Sequence, residues 1–133
     1  LLHYHVLDSF ESVDSGTINH MQNIIQYKGT TKILPITLTK TVDDVTTPFN
    51  LNGYTATLTI KKNKEDADAD ALITKSVTAH TDAPNGITQF TIDPADTVNM
   101  DFCDYVFDIQ LENGTDVRTV YVGHWEIQEK VKD

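Results

Sequence analysis

Cysteine is nearly absent from this chain. Cys103 is the single thiol among 133 residues, so no disulfide can form within one chain and a stapled scaffold is excluded. Tyr105 and Phe107 follow it at alternate positions, which assigns Cys103 to a strand region and to the usual inert behaviour of a buried thiol. Positive charge is scarce too. Ten Lys and Arg stand against twenty Asp and Glu, a formal net charge of −10. That balance repels phosphate backbones and anionic lipid, and it counts against nucleic acid and membrane as partners. No apolar run approaches the length of a membrane-spanning helix. Leu1-Leu2 lacks both the basic leader and the long apolar stretch of an intact signal peptide.

Strict alternation of apolar and polar residues is what the chain has in quantity. Tyr54, Ala56, Leu58 and Ile60 fall on one face of a strand that follows an Asn52-Gly53 turn, with Thr55, Thr57, Thr59 and Lys61 on the other. The same pattern recurs in Leu34-Ile36-Leu38, in Phe90-Ile92 and in Tyr105-Phe107-Ile109-Leu111. Asn23-Ile24-Ile25-Gln26-Tyr27 and Val117 to Ile127 are further strands, the last with Gly123 as a candidate bulge. Ala71 to Thr78 is a short strand in which Leu72 and Ile73 cannot both face inward. Turn signals separate these units at Lys28-Gly29-Thr30, Pro84-Asn85-Gly86 and Asn113-Gly114. Pro35 has no N–H to give a ladder, so its strand is expected at an edge or at a bulge. Thr41 to Asn50 reads as a loop. Asp93-Pro94-Ala95-Asp96 reads as one helical turn near 94–99, with Pro94 at the first helical position.

These elements predict an all-β fold: an immunoglobulin-like antiparallel β-sandwich of about seven strands, with a small barrel as the alternative. The expected organisation is an extended N-terminal arm over 1–20, the sandwich over 21–131 and a C-terminal tail at 132–133. In the arm, isolated apolar residues stand among polar punctuation. Tyr4, Val6, Leu7 and Phe10 are therefore the candidate assembly contacts, anchors that gain partners when the arm orders against a neighbour.

Catalytic and metal-binding patterns are weak. Asp66, Asp68 and Asp70 have the spacing that opens a calcium loop, but Ala71 stands where a glycine should turn and Val77 where the closing carboxylate belongs. A solvated charged connection is the expectation. His3 and His5 share one side of an extended arm without a carboxylate partner, and His20, His80 and His124 form no triad pattern. Trp125 is expected in the core, the alternative being a sugar-stacking platform with Tyr54 or Tyr121. The expected protein is not an enzyme and uses no metal or other cofactor.

One resemblance adds to this reading. The ordered set Tyr27-Lys28-Gly29-Thr30-Thr31-Lys32, Ile36-Thr37-Leu38, Asn50-Leu51-Asn52-Gly53-Tyr54 and Leu58-Thr59-Ile60-Lys61-Lys62 carries it, together with Asn85-Gly86-Ile87, Phe90-Thr91-Ile92 and Tyr105-Val106-Phe107-Asp108-Ile109. This set resembles the immunoglobulin-like N-terminal domain of upper baseplate proteins from phages of Gram-positive bacteria and related small tail domains. The resemblance implies a structural role in a virion, made in the host cytoplasm. Its partners would be other virion proteins and further copies of itself, in a homo-oligomer that docks host-attachment components on the tail. A head, neck or tail decoration protein of the same fold is the alternative, and a glycan-binding adhesive module is the competing class.

Overall fold

In a computed structural model of the chain, residues 2–8 and 23–129 are described. They form nine strands: β1 Leu2–Asp8, β2 Asn23–Tyr27, β3 Lys32–Val42, β4 Val45–Pro48, β5 Thr55–Lys61, β6 Ile73–Val77, β7 Ile87–Ile92, β8 Asp104–Asn113 and β9 Asp116–Gln128. One helical turn, α1 (Pro94–Thr97), lies between β7 and β8, where the Asp-Pro signal places it. The Asp96 carboxylate accepts the Asp93 backbone N–H at 2.8 Å, satisfying one donor at the start of that turn.

The strands make two sheets. In the first, β3 is the spine. β1 pairs along one side of it, from Leu2 opposite Val42 to Asp8 opposite Ile36. The other side is shared end to end by β7, which covers Lys32 to Thr37, and β4, which covers Thr39 to Val42. The second sheet runs in the order β2-β9-β8-β5-β6. Inward residues of both sheets meet in one core: Leu34, Ile36, Leu38, Phe90 and Ile92 on one side face Ala56, Leu58, Ile60, Phe107, Ile109 and Trp125 on the other. Each fully buried aliphatic side chain contributes roughly 1.5–3 kcal/mol relative to exposure. The fold is thus all-β and sandwich-like.

Several details depart from the sequence expectation. The sheet is not wholly antiparallel, because β2 pairs parallel to β9. Val45–Pro48, expected as loop, is a short strand exposed on both faces, so it carries no alternation to betray it. Asp43 and Asp44 turn the chain between β3 and β4 with positive φ angles of 52° and 65°, a conformation that short carboxylate side chains tolerate. The bulge in β9 falls not at Gly123 but at Val120, where the pairing with β8 slips and both Val120 and Tyr121 turn inward. Ile73 faces the core and Leu72 faces water. Pro35 lies on the spine strand rather than an edge strand. Its missing donor points to the side where β1 pairs from Ile36 onward, so no ladder bond is lost among the described residues.

The junction of β4 and β7 depends on one glycine. Leu38 donates its N–H to the Gly86 carbonyl at 2.8 Å, and the Leu38 carbonyl accepts from the Phe49 N–H at 3.0 Å. Gly86 sits there at φ 73°, and a Cβ would lie 2.2 Å from the Leu38 oxygen and 2.8 Å from the Phe49 oxygen. Only a residue without a side chain fits.

Candidate functional site

An all-β assembly of this kind exposes its chemistry at sheet edges, on sheet faces and in turns. Three of the edges are blunted. β4 is four residues long and ends at Pro48, which has no donor to offer another strand. β6 carries Lys75 as a half-buried cation whose Nζ reaches Asp96 at 2.8 Å and Asp93 at 3.7 Å. That ion-paired lysine holds β6 against the far end of β7, so the two edges on this flank close on each other. Removal of a proton from Asp96 is favoured by its hydrogen bond from Lys75, which lowers its pKa against the opposing effect of burial.

The edge at β2 has no such protection. Asn23-Ile24-Ile25-Gln26-Tyr27 contains no charge and no proline. Ile24 and Gln26 face the core, while Ile25 and Tyr27 are 43% and 46% exposed. The Lys28 amide donates to the Gln128 carbonyl of β9 at 2.9 Å. Backbone groups alternate sides along a strand, so those of Ile24 and Gln26 also face β9 and those of Asn23, Ile25 and Tyr27 face away. Among the described residues no strand pairs with that outer side. The strand is fixed from behind. The Trp125 indole N–H donates to Gln26 Oε1 at 3.0 Å, Gln26 Nε2 donates to the Thr30 carbonyl at 3.0 Å, and the Gly29 amide donates to Thr97 Oγ1 at 2.8 Å. An uncharged edge with β-forming side chains, held rigid by the core, is a template for another strand.

The face of the five-stranded sheet opposite the core holds a cleft of about 280 Å³ between Thr59, Lys61, Lys64, Asp108 and Val122. Asp108 Oδ1 is buried there and has no hydrogen-bond partner among the described residues. Desolvation raises the Asp108 pKa, opposed by the positive charge of Lys61. Lys61 itself is drawn away, donating to Asp68 Oδ1 at 2.6 Å and to the Asp66 carbonyl at 2.9 Å. Asp68 holds Lys61 protonated by that hydrogen bond and keeps its pKa up. Asp108 thus stands beside Lys61 and Lys64, and the negative charge of Asp68 adds to the rise in its pKa.

The sequence candidates divide as follows. Tyr4, Val6 and Leu7 belong to β1, whose backbone registers Tyr4 with Lys40, Val6 with Leu38 and Leu7 with Thr37; Phe10 lies outside the described residues. Trp125 and Tyr121 are buried and offer no sugar-stacking surface, with Phe107 packed between them, stacked on Tyr121 and edge-on to Trp125. Tyr54 is half-buried and its hydroxyl donates to Asp116 Oδ2 at 3.2 Å, a neighbour that joins burial in raising the Tyr54 pKa. Asp66 to Asp70 do not converge: Asp68 binds Lys61, and Asp66 accepts the Asn63 amide. No cluster of three or more metal-ligating side chains occurs among the described residues. Cys103 is half-buried, and its carbonyl accepts the Ile127 amide at 3.0 Å.

Two arrangements escaped sequence reasoning. His80 bridges Thr88 Oγ1 at 2.9 Å and the Tyr54 carbonyl at 2.8 Å. The carbonyl can only accept, so Nε2 donates to it, and Nδ1 meets the threonine hydroxyl. Tyr105, at the start of β8, sends its hydroxyl back to the Asp101 carbonyl at 3.0 Å, and burial pushes its pKa up to about 12.

Comparison with known proteins finds no matching family model and no matching curated protein. The geometry therefore stands on its own terms.

Proposed function

We propose that the chain is an immunoglobulin-like assembly domain, a non-enzymatic structural protein of a phage tail or baseplate that connects host-attachment components. Its strand order supports the immunoglobulin-like reading. β3 pairs with β7 in one sheet while β9, β8, β5 and β6 run side by side in the other, matching the B–E and G-F-C-C′ neighbours of variable-type domains. The leading segment divides between the sheets, β1 going to the first and β2 to the second. The Tyr105–Asp101 bond has the form of the tyrosine corner, in which a tyrosine near the start of the F strand bonds to backbone a few residues upstream. Two residues later, Phe107 occupies the place of the second disulfide cysteine and packs on Trp125, which stands on the last strand. The resemblance of the turn-and-strand units to baseplate domains supports the virion setting.

The observation that carries the assembly reading is β1. Leu2–Asp8 is an added edge strand on β3, over seven residues of continuous register. An arm held this way can exchange its host edge for that of a neighbour with the same backbone geometry. Deleting Leu1 to His20 should leave a folded domain that no longer enters particles. Normal incorporation of the shortened chain would overturn the reading.

A further inference from the structure

The outward edge of β2 matches a second copy of itself. We infer that two copies of this chain pair through antiparallel β2 strands across a two-fold axis at Ile25, joining their five-stranded sheets into one continuous sheet.

Backbone direction comes first. Ile25 points both its N–H and its C=O away from β9, as do Asn23 and Tyr27 on either side of it. With the axis at Ile25, each Ile25 amide reaches the carbonyl of its twin, and each Asn23 amide reaches a Tyr27 carbonyl. A five-residue strand centred on such a residue is complementary to its own reverse.

Side chains and charge select a second copy as the occupant. Ile25 meets Ile25 on the outer face, and the exposed ring of Tyr27 lies beside the Asn23 side chain. The chain carries a net charge of −10, so two copies approaching by their acidic surfaces repel. Across β2 the symmetric register brings no charged residue against a like one, because the strand has none. Two other edges are unsuited: β6 is held to α1 by Lys75, and β4 ends at Pro48.

This pairing deepens the assembly reading but depends only on the β2 edge, so its failure leaves the test of the arm intact. The full chain should sediment at twice the monomer mass, falling to the monomer as it is diluted. Ile25→Pro removes the amide at the axis without touching the β9 ladder and should give a folded monomer with unchanged far-UV circular dichroism. Ile25→Lys, which sets two like charges across the axis, should do the same and serves if the proline variant does not fold. Register is read by single thiols in a Cys103→Ser background. Facing residues of such a pair lie about 5.5 Å apart at Cα, within disulfide reach. Ile25→Cys should therefore oxidise to a linked dimer, and Asn23→Cys, whose counterpart is Tyr27, should not. A chain that stays monomeric at all concentrations overturns the inference. So does a dimer that survives both Ile25→Pro and Ile25→Lys, or one that Asn23→Cys links as readily as Ile25→Cys.

Discussion

Replacing Gly86 by alanine adds one methyl group, and the structure separates its cost into two parts. The first is conformational: at φ 73° a residue with a Cβ is strained by ~1–2 kcal/mol. The second is local crowding. The new Cβ would stand 2.2 Å from the Leu38 oxygen and 2.8 Å from the Phe49 oxygen, and both obstacles are backbone. Relief requires β3 and the end of β4 to move apart from the β7 turn, which breaks or lengthens the Leu38–Gly86 and Phe49–Leu38 hydrogen bonds. Each is worth about 0.5–1.5 kcal/mol net, so the whole change should cost about 2–5 kcal/mol. Gly114→Ala supplies the control. Gly114 has φ 59° but nothing within 4 Å of its Cβ position, so it should show the conformational part alone, ~1–2 kcal/mol. Urea unfolding of both variants, followed by circular dichroism and Trp125 fluorescence, measures the difference. If Gly86→Ala costs no more than Gly114→Ala, the two carbonyls do not close on Gly86 as described, and the account of the β4–β7 junction fails.

Two further outcomes follow from buried polar groups. Trp125→Phe should cost about 1–3 kcal/mol by leaving Gln26 Oε1 without its donor, and Gln26→Leu about as much by stranding the indole N–H. The double variant should cost less than the sum of the two, and additivity in urea unfolding would show that the bond does not couple them. Asp108 has its pKa raised by desolvation, so the folded state binds its proton more tightly than the unfolded chain does. Stability from that group is complete below the ordinary aspartate range and is lost as pH rises through the raised folded value. Asp108→Asn should accordingly raise the unfolding midpoint at neutral pH relative to the parent and lose that advantage in acid. An advantage independent of pH would mean that desolvation of the carboxylate is not its source.

Sequence periodicity exposed side-chain facing but not strand partnership. Ala56, Leu58 and Ile60 are buried as their alternation demands, and Leu34, Ile36 and Leu38 likewise. Periodicity reports which way a residue points, and the same two-residue period serves parallel and antiparallel neighbours. The parallel pairing of β2 with β9 was therefore not legible, nor was β2's position at an edge. The lack of charge in Asn23–Tyr27 was readable from the start, but it acquired meaning only once that position was known. β4 escaped notice because its residues are exposed throughout, so burial wrote no pattern there. The bulge at Val120 escaped because adjacent inward residues read as an irregular run, and Gly123 offered a more obvious culprit. Asp108 was hidden among twenty acidic residues, since nothing in its neighbours distinguishes a desolvated carboxylate from a solvated one.

The two flanks of the sandwich are built differently. On one flank β6 lies beside β7, Lys75 bridges to Asp96, and Gly86 locks the turn entering β7 against β3 and the end of β4. These are short, specific contacts that satisfy or cover the edges there. On the other flank stand β1, attached by its backbone register, and β2, uncharged and open along its outer side. β1 also lies near β9, the strand that β2 borders, so the added arm and the open edge share this flank. A two-fold junction at β2 would put the arms of both copies on the side where the copies meet. The two proposals, pairing at Ile25 and exchange of Leu2–Asp8, thus call on the same flank of the fold.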